Sequence, residues 1–318
     1  MKTYELKTVI KRATMKLLTR VNKAFCLVGT LTILSACGGG SSDSSNNAGG
    51  ATPTPPVSNT PQCTGVSLAD GNSCVTINSR ESIMYSPSTS PEGIALFLHG
   101  SPGSATKVMR LFDAKMIADT YNLVALSPQG TVATWGWSSG ISSTQTNNAD
   151  VNYLNELISK VQSEQNISTD KLYVFGYSAG GFMSYTLACH TPEKITGIIA
   201  LAGQFRGEFD ACTTSTSVNL HHFHSPTDSE VPYDGGTNGA IQSVDDTIAH
   251  WRVINGCDET FETIEQEGVT PNSSGTTTER YNNCSSSLSL SKMSGVSHEA
   301  DYQPESLHSI YKHLLVNE

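Results

Sequence analysis

Apolar residues in this chain fall into short unbroken runs, separated by longer stretches with helical spacing. Residues 73–78 and 82–85 read as two early antiparallel strands. Gly93–Leu98 is apolar throughout, so it predicts a central strand buried on both faces. A helix is expected over 105–120, with Val108, Leu111, Phe112 and Met116 on one face. A strand follows over 122–126, closed by Pro128-Gln129-Gly130. Helical spacing returns over 151–161 through Leu154, Leu157 and Ile158. Residues 172–175 then form a strand and 182–190 a helix. Strands over 195–201 and 218–223, a helix over 241–254, a late strand over 288–292 and a closing helix over 304–315 complete the series. Such alternation predicts an α/β domain, a mostly parallel sheet with helices on both faces and its site at the carboxyl ends of the strands.

The first 62 residues follow another pattern. Lys11, Arg12, Lys16, Arg20 and Lys23 precede an apolar run over 24–36, too short to anchor in a bilayer but suited to an export signal. Met15 is an alternative start. The run ends in Leu34-Ser35-Ala36-Cys37, which looks like the lipobox of bacterial lipoproteins, with Cys37 the lipidated residue. Residues 1–37 are therefore expected to be a lipoprotein-type signal and 38–62, rich in Gly, Ser, Asn, Thr and Pro, a disordered tether. Residues 63–318 are expected to be the folded domain, with an envelope or secreted location.

Charge narrows the partners. Residues 1–36 hold seven of the 19 basic residues and one of the 29 acidic ones. Residue 37 onward therefore keeps 12 basic and 28 acidic residues, a net charge of −16, which repels nucleic acid. Six cysteines remain beyond Cys37: Cys63, Cys74, Cys189, Cys212, Cys257 and Cys284. An even count in an exported domain suggests three disulfides, with sequential pairing the simplest of 15 connectivities. No C-x-x-C, H-E-x-x-H, Walker A or dinucleotide fingerprint occurs, so no metal or cofactor is expected.

The chemistry centres on Gly176-Tyr177-Ser178-Ala179-Gly180, a G-x-S-x-G placed between a strand and a helix. That context is a nucleophile elbow, whose glycines remove Cβ atoms that would collide with strand and helix. A serine nucleophile needs a base, and the base an orienting carboxylate. Asp228, just past the strand over 218–223, is the favoured acid, with Asp234 and then Glu230 as rivals. His298, in a loop between the late strand and the last helix, is the favoured base. His190, His250, His308 and His313 lie in helices. His222 and His224 share a strand face and read as core histidines. The oxyanion donors are expected at Ala179 and at the loop Gly100-Ser101-Pro102-Gly103, where Ser101 has an N–H and Pro102 none. His99 shapes that loop or lines the substrate site, and Trp135 and Trp137, in a Gly/Ser-rich loop on the same rim, offer indole faces to a substrate.

These residues resemble the secreted polyhydroxybutyrate depolymerase-like and feruloyl-esterase-like α/β hydrolases. The resemblance runs from about Gly93 to His298. It rests on Leu98-His99-Gly100, Pro128-Gln129-Gly130, the elbow with Gly181, His224 with Asp228, Val231-Pro232-Tyr233-Asp234-Gly235-Gly236, and Trp251 with Asn255-Gly256-Cys257. Ser225 stands where the family usually has glycine, and the sequence around His298 keeps one glycine of a richer lead. The resemblance implies the α/β-hydrolase fold and a monomeric, cofactor-free ester hydrolase outside the cytoplasm, acting on a polyester or a plant-polysaccharide ester through Ser178, His298 and Asp228. A peptidase or thioesterase with the same triad, or a silent surface binding protein, is the alternative.

Overall fold

In the computed structural model the apolar runs assemble into one mixed sheet. The described residues are 61–131, 136–144, 147–169, 171–236 and 240–316. A two-stranded ribbon, β1 (Gln62–Cys63) and β2 (Val66–Ser67), precedes an antiparallel pair, β3 (Asn72–Ile77) and β4 (Arg80–Tyr85). Then come β5 (Gly93–Leu98), α1 (Ala105–Leu111), α2 (Ala114–Tyr121), β6 (Leu123–Pro128), α3 (Ala149–Glu164), β7 (Leu172–Tyr177) and α4 (Ala179–His190). The remainder is β8 (Gly197–Leu201), β9 (Asn219–His224), α5 (Val244–Ile254), β10 (Phe261–Gln266), β11 (Thr276–Tyr281), β12 (Leu288–Met293) and α6 (Pro304–Tyr311).

The ten-stranded sheet has the order β10-β11-β12-β9-β8-β7-β5-β6-β4-β3. Its six central strands, β12 to β6, are parallel, and antiparallel pairs close both edges. Chain order reverses at β5, which has β6 on one side and β7 on the other. A crevice outside the strand ends opens at such a point.

The period of two along each strand divides the core. Leu96, Leu98, Val174, Ala200 and Leu220 pack in one cluster with α3, α4 and α5. Their neighbours Ala95, Phe97, Phe175, Ile199 and Phe223 pack in the other with α1, α2 and α6. Both faces are covered, so β5, β7 and β8 are apolar on both sides, as expected of parallel strands between helices.

Two expectations change. The helix expected over 105–120 is two helices, because Asp113 takes a left-handed conformation (φ 48°) and its side chain caps α2 by accepting from the Met116 N–H at 3.2 Å. The hairpin β10–β11 was not expected at all. Phe261–Gln266 lies at the sheet edge, largely exposed and carrying Glu262 and Glu265, so no apolar run marks it. The three disulfides pair in sequence, Cys63–Cys74, Cys189–Cys212 and Cys257–Cys284.

Candidate active site

Strand β7 ends at Tyr177, and α4 begins at Ala179. Ser178 between them has φ 54° and ψ −116°, a conformation L-residues rarely adopt. It is fixed by its own N–H, which donates to the Leu201 carbonyl at 2.8 Å. The turn closes only because side chains are missing around it. A Cβ at Gly176 would overlap the Gly180 carbonyl, and one at Gly180 the Leu98 carbonyl. A Cβ at Gly181 would lie only 2.6 Å from the Gly203 carbonyl oxygen. Helix α4 therefore starts directly above the strand ends, with the N–H of Ala179 in its first turn, where helix geometry supplies no internal acceptor.

The structure brings together Ser178, His298 and Asp228. His298 Nε2 lies 2.8 Å from Ser178 Oγ, and its Nδ1 lies 2.7 Å from Asp228 Oδ2. All three are buried. Asp228 Oδ1 also accepts from the N–H groups of Glu230 and Val231, both at 2.9 Å. Burial pushes its carboxyl up. The His298 hydrogen bond, the Val231 N–H and the nearby His298 and His224 rings outweigh that and leave it below the ordinary carboxylate value. Neither rival takes that buried place: Asp234 and Glu230 are exposed side chains of the same loop.

His298 is itself held by residues that sequence reasoning missed. The Tyr177 ring stacks on it at 5.4 Å, and the phenol donates to the His298 carbonyl at 2.9 Å and to Glu299 at 3.1 Å. Burial and the Glu299 charge raise the Tyr177 pKa, so it remains a donor. Glu299 pairs with Lys107 at 2.7 Å, and the Tyr302 hydroxyl reaches the His298 carbonyl at 3.3 Å. Tyr177 is the free position of G-x-S-x-G, so the motif gave no reason to single it out.

The Gly100–Gly103 loop passes beside Ser178: a Cβ at Gly100 would lie 3.1 Å from that of Ser178. This places Ser101 in the loop next to Ser178. His99 does not line the site. It is buried, its Nδ1–H donates to the Gly100 carbonyl at 2.6 Å, and its Nε2 accepts from the Gly130 N–H at 2.9 Å. Burial lowers its pKa, in keeping with the neutral form that this pattern needs. His99 thus ties the loop after β5 to the loop after β6.

Trp137 is also corrected. It is 0% exposed, and its Nε1–H donates to the His99 carbonyl at 2.9 Å. No indole face is left for a ligand, because the residue is the floor of the loop. Trp135 lies outside the described residues, as do Cys37 and the rest of the expected signal.

His190, His308 and His313 bond the Thr186 carbonyl, the Tyr121 hydroxyl and the Ile310 carbonyl, respectively. His250 packs against Phe209 at 4.6 Å. Among the described residues two groups bring metal-type donors within 4.8 Å of one another. In Cys63, Cys74 and Glu81 both sulfurs are in a disulfide. In Glu230, His298 and Glu299 both ring nitrogens already have hydrogen-bond partners. Neither donor set fits a resident ion.

Residues 81–243, just over half of the chain, match the family described as phospholipase/carboxylesterase. The chain belongs to that family. Feruloyl esterase C of Emericella nidulans is 26% identical over 218 residues, covering 64% of this chain and 72% of its own length. A Nocardia uniformis subsp. tsuyamanensis protein named as an esterase is 27% identical over 150 residues, and the match spans 46% of this chain and only 43% of that protein. Among solved structures, the acetyl xylan esterase of Aspergillus awamori superposes with a TM-score of 0.57 at 16% identity, covering 76% of this chain and 99% of its own. An S-formylglutathione hydrolase from Agrobacterium tumefaciens gives 0.53 at 12% identity, with 80% and 98% covered. The fold is the α/β-hydrolase fold.

Proposed function

We propose that the protein hydrolyses carboxylic esters through a Ser178–His298–Asp228 triad and an acyl-enzyme. The observation that carries this reading is the hydrogen-bonded line from Ser178 Oγ through the His298 ring to Asp228, set on a strained turn in a family of carboxylesterases. Ser178 Oγ attacks the ester carbonyl while His298 Nε2 takes its proton. Asp228 holds Nδ1–H and stabilises the imidazolium. The N–H of Ala179 and the Ser101 loop receive the developing oxyanion. His298 then protonates the departing alcohol, and water, deprotonated by the same nitrogen, releases the acid.

The relatives named as feruloyl esterases, and the acetylxylan esterase/xylanase of Neocallimastix patriciarum, favour feruloyl or acetyl esters of plant polysaccharides as substrates. The disulfides suit a protein folded outside a reducing cytosol, and Cys37 would carry a lipid anchor there. A fluorophosphonate probe should label the wild type at Ser178. Ser178→Ala should lose labelling and roughly three or more powers of ten in kcat on methyl ferulate or an acetylated xylan. Substantial activity in that variant, or failure of the wild type on both ester classes and with the probe, would overturn the proposal.

A further inference from the structure

Behind Asp228, away from Ser178, lies a buried line of polar groups that hydrolysis as described does not use. On β9 the period of two places His222 and His224 on the same face, their rings stacked at 5.3 Å. Tyr185 on α4 meets them from the helix layer. Tyr185 Oη lies 3.0 Å from His222 Nδ1, His222 Nε2 lies 3.1 Å from His224 Nδ1, and His224 Nε2 lies 2.9 Å from the Val231 carbonyl and 3.6 Å from Asp228 Oδ2. Tyr185, His222 and His224 are all 0% exposed.

The direction of every bond in this line is determined. A carbonyl only accepts, so His224 carries its proton on Nε2. A neutral His224 then accepts at Nδ1, which makes His222 the donor through Nε2–H. His222 Nδ1 is left as acceptor, so Tyr185 donates its O–H. The neutral state is what burial enforces, since it presses His224 down to about 4 and His222 well below its ordinary value. Each N–H or O–H therefore points toward Val231 and Asp228. Val231 is also the residue whose N–H holds Asp228 Oδ1.

We infer that Tyr185, His222 and His224 form a one-directional hydrogen-bond relay that positions Asp228, with the His224 Nε2–H fixing the 228–231 turn and aiming its dipole at the carboxylate. Both ends of the resulting circuit lie on α4: Ser178 caps the helix, and Tyr185 sits two turns along it. His224 is thus a positioning residue for the triad. The inference rests on the ester-hydrolase reading for its kinetic consequence, but not for its bonding pattern.

The groups facing this line are few. His224 faces His222, Asp228 and the edge of Tyr233, with His298 beyond Asp228. Asp228 also feels Tyr302, while His298 feels Tyr177, Glu230 and Glu299. Removing the His224 dipole takes away a partial positive charge near the Asp228–His298 pair. The acid limb of kcat/KM then moves to higher pH.

Two measurements test this. In wild-type protein labelled with 15N-histidine, long-range 1H–15N spectra should show two buried rings as neutral Nε2–H tautomers at pH 6, and single His222→Gln and His224→Gln changes should assign them. A protonated ring, or an Nδ1–H tautomer at either position, overturns the relay whatever the activity. On a soluble feruloyl or acetyl ester, His224→Phe should lower kcat by about tenfold or more, leave KM near wild type and raise the acid limb. His224→Gln, which can keep a donor near the Nε2 position, should restore most of kcat. A folded His224→Phe enzyme with wild-type kcat and an unmoved acid limb refutes the positioning role. A wild type that hydrolyses no ester would defeat the ester reading instead, and the spectra would still decide the relay.

Discussion

At Asp228 a single side chain answers to four neighbours: His298, two backbone N–H groups of its own loop and the His224 ring. An amide there would present an N–H to His298 Nδ1 and favour the wrong tautomer. Asp228→Asn should therefore cost several powers of ten in kcat, whereas Asp234→Asn, on an exposed side chain, should stay within about twofold. Equal losses, or the reverse ranking on any ester the protein cleaves, would move the acid to Asp234. The meeting of Asp228 and His298 with Ser178 was legible because chain order and strand ends are visible in sequence. His99 shapes its loop as one of its two readings had it, but its substrate-lining reading and that of Trp137 fail for a physical reason. An imidazole or indole in a Gly-rich loop looks alike in sequence whether it faces a ligand or plugs the space beneath, and only the bond from Trp137 Nε1 to the His99 carbonyl decides.

Among the elements, those buried on both faces were readable, since a short apolar run such as Gly93–Leu98 between helical stretches suits a parallel strand covered by helices. The edge hairpin β10–β11 was not, because its stability comes from pairing, as in Glu262 opposite Arg280, and not from an apolar run. That hairpin hangs between α5 and β12, and Cys257–Cys284 ties its two ends together. Asn255 beside it bonds the Val218 and Ser287 carbonyls where β9 and β12 enter the sheet, at the rim opposite Ser178. Replacing Cys257 and Cys284 by serine should cost about 2–4 kcal/mol, a fall on the order of 10 °C in Tm, with kcat little changed. Loss of kcat in step with Tm, measured well below the melting range, would mean that the hairpin reaches the site.

On the scale of the whole molecule, the sheet buries three histidines of one strand, β9, without charge. His221 stacks on Phe223 on one face, and His222 and His224 lie on the other. Burial lowers all three, His224 to about 4 and the other two well below 6.5. In the unfolded chain each binds a proton near pH 6.5, while in the folded protein it does not. Between pH 6.5 and about 4 the unfolded state therefore holds more protons, and stability rises with pH across that window. The contribution is fully present above 6.5 and falls on acidification by about 1.4 kcal/mol per pH unit for each histidine that stays neutral. Asp228 acts lower down. Its carboxyl sits below the ordinary value of 3.8, so its contribution is kept above that pH and lost only as pH falls through the folded value. Urea unfolding at pH 7.5, 6.5, 5.5 and 4.5 should thus give a plateau above 6.5 and a steep decline below it, well before the carboxylates protonate. Stability that stays level from 6.5 to 4.5 would mean that these rings take up protons in the folded state, and the neutral relay behind Asp228 would fall with them.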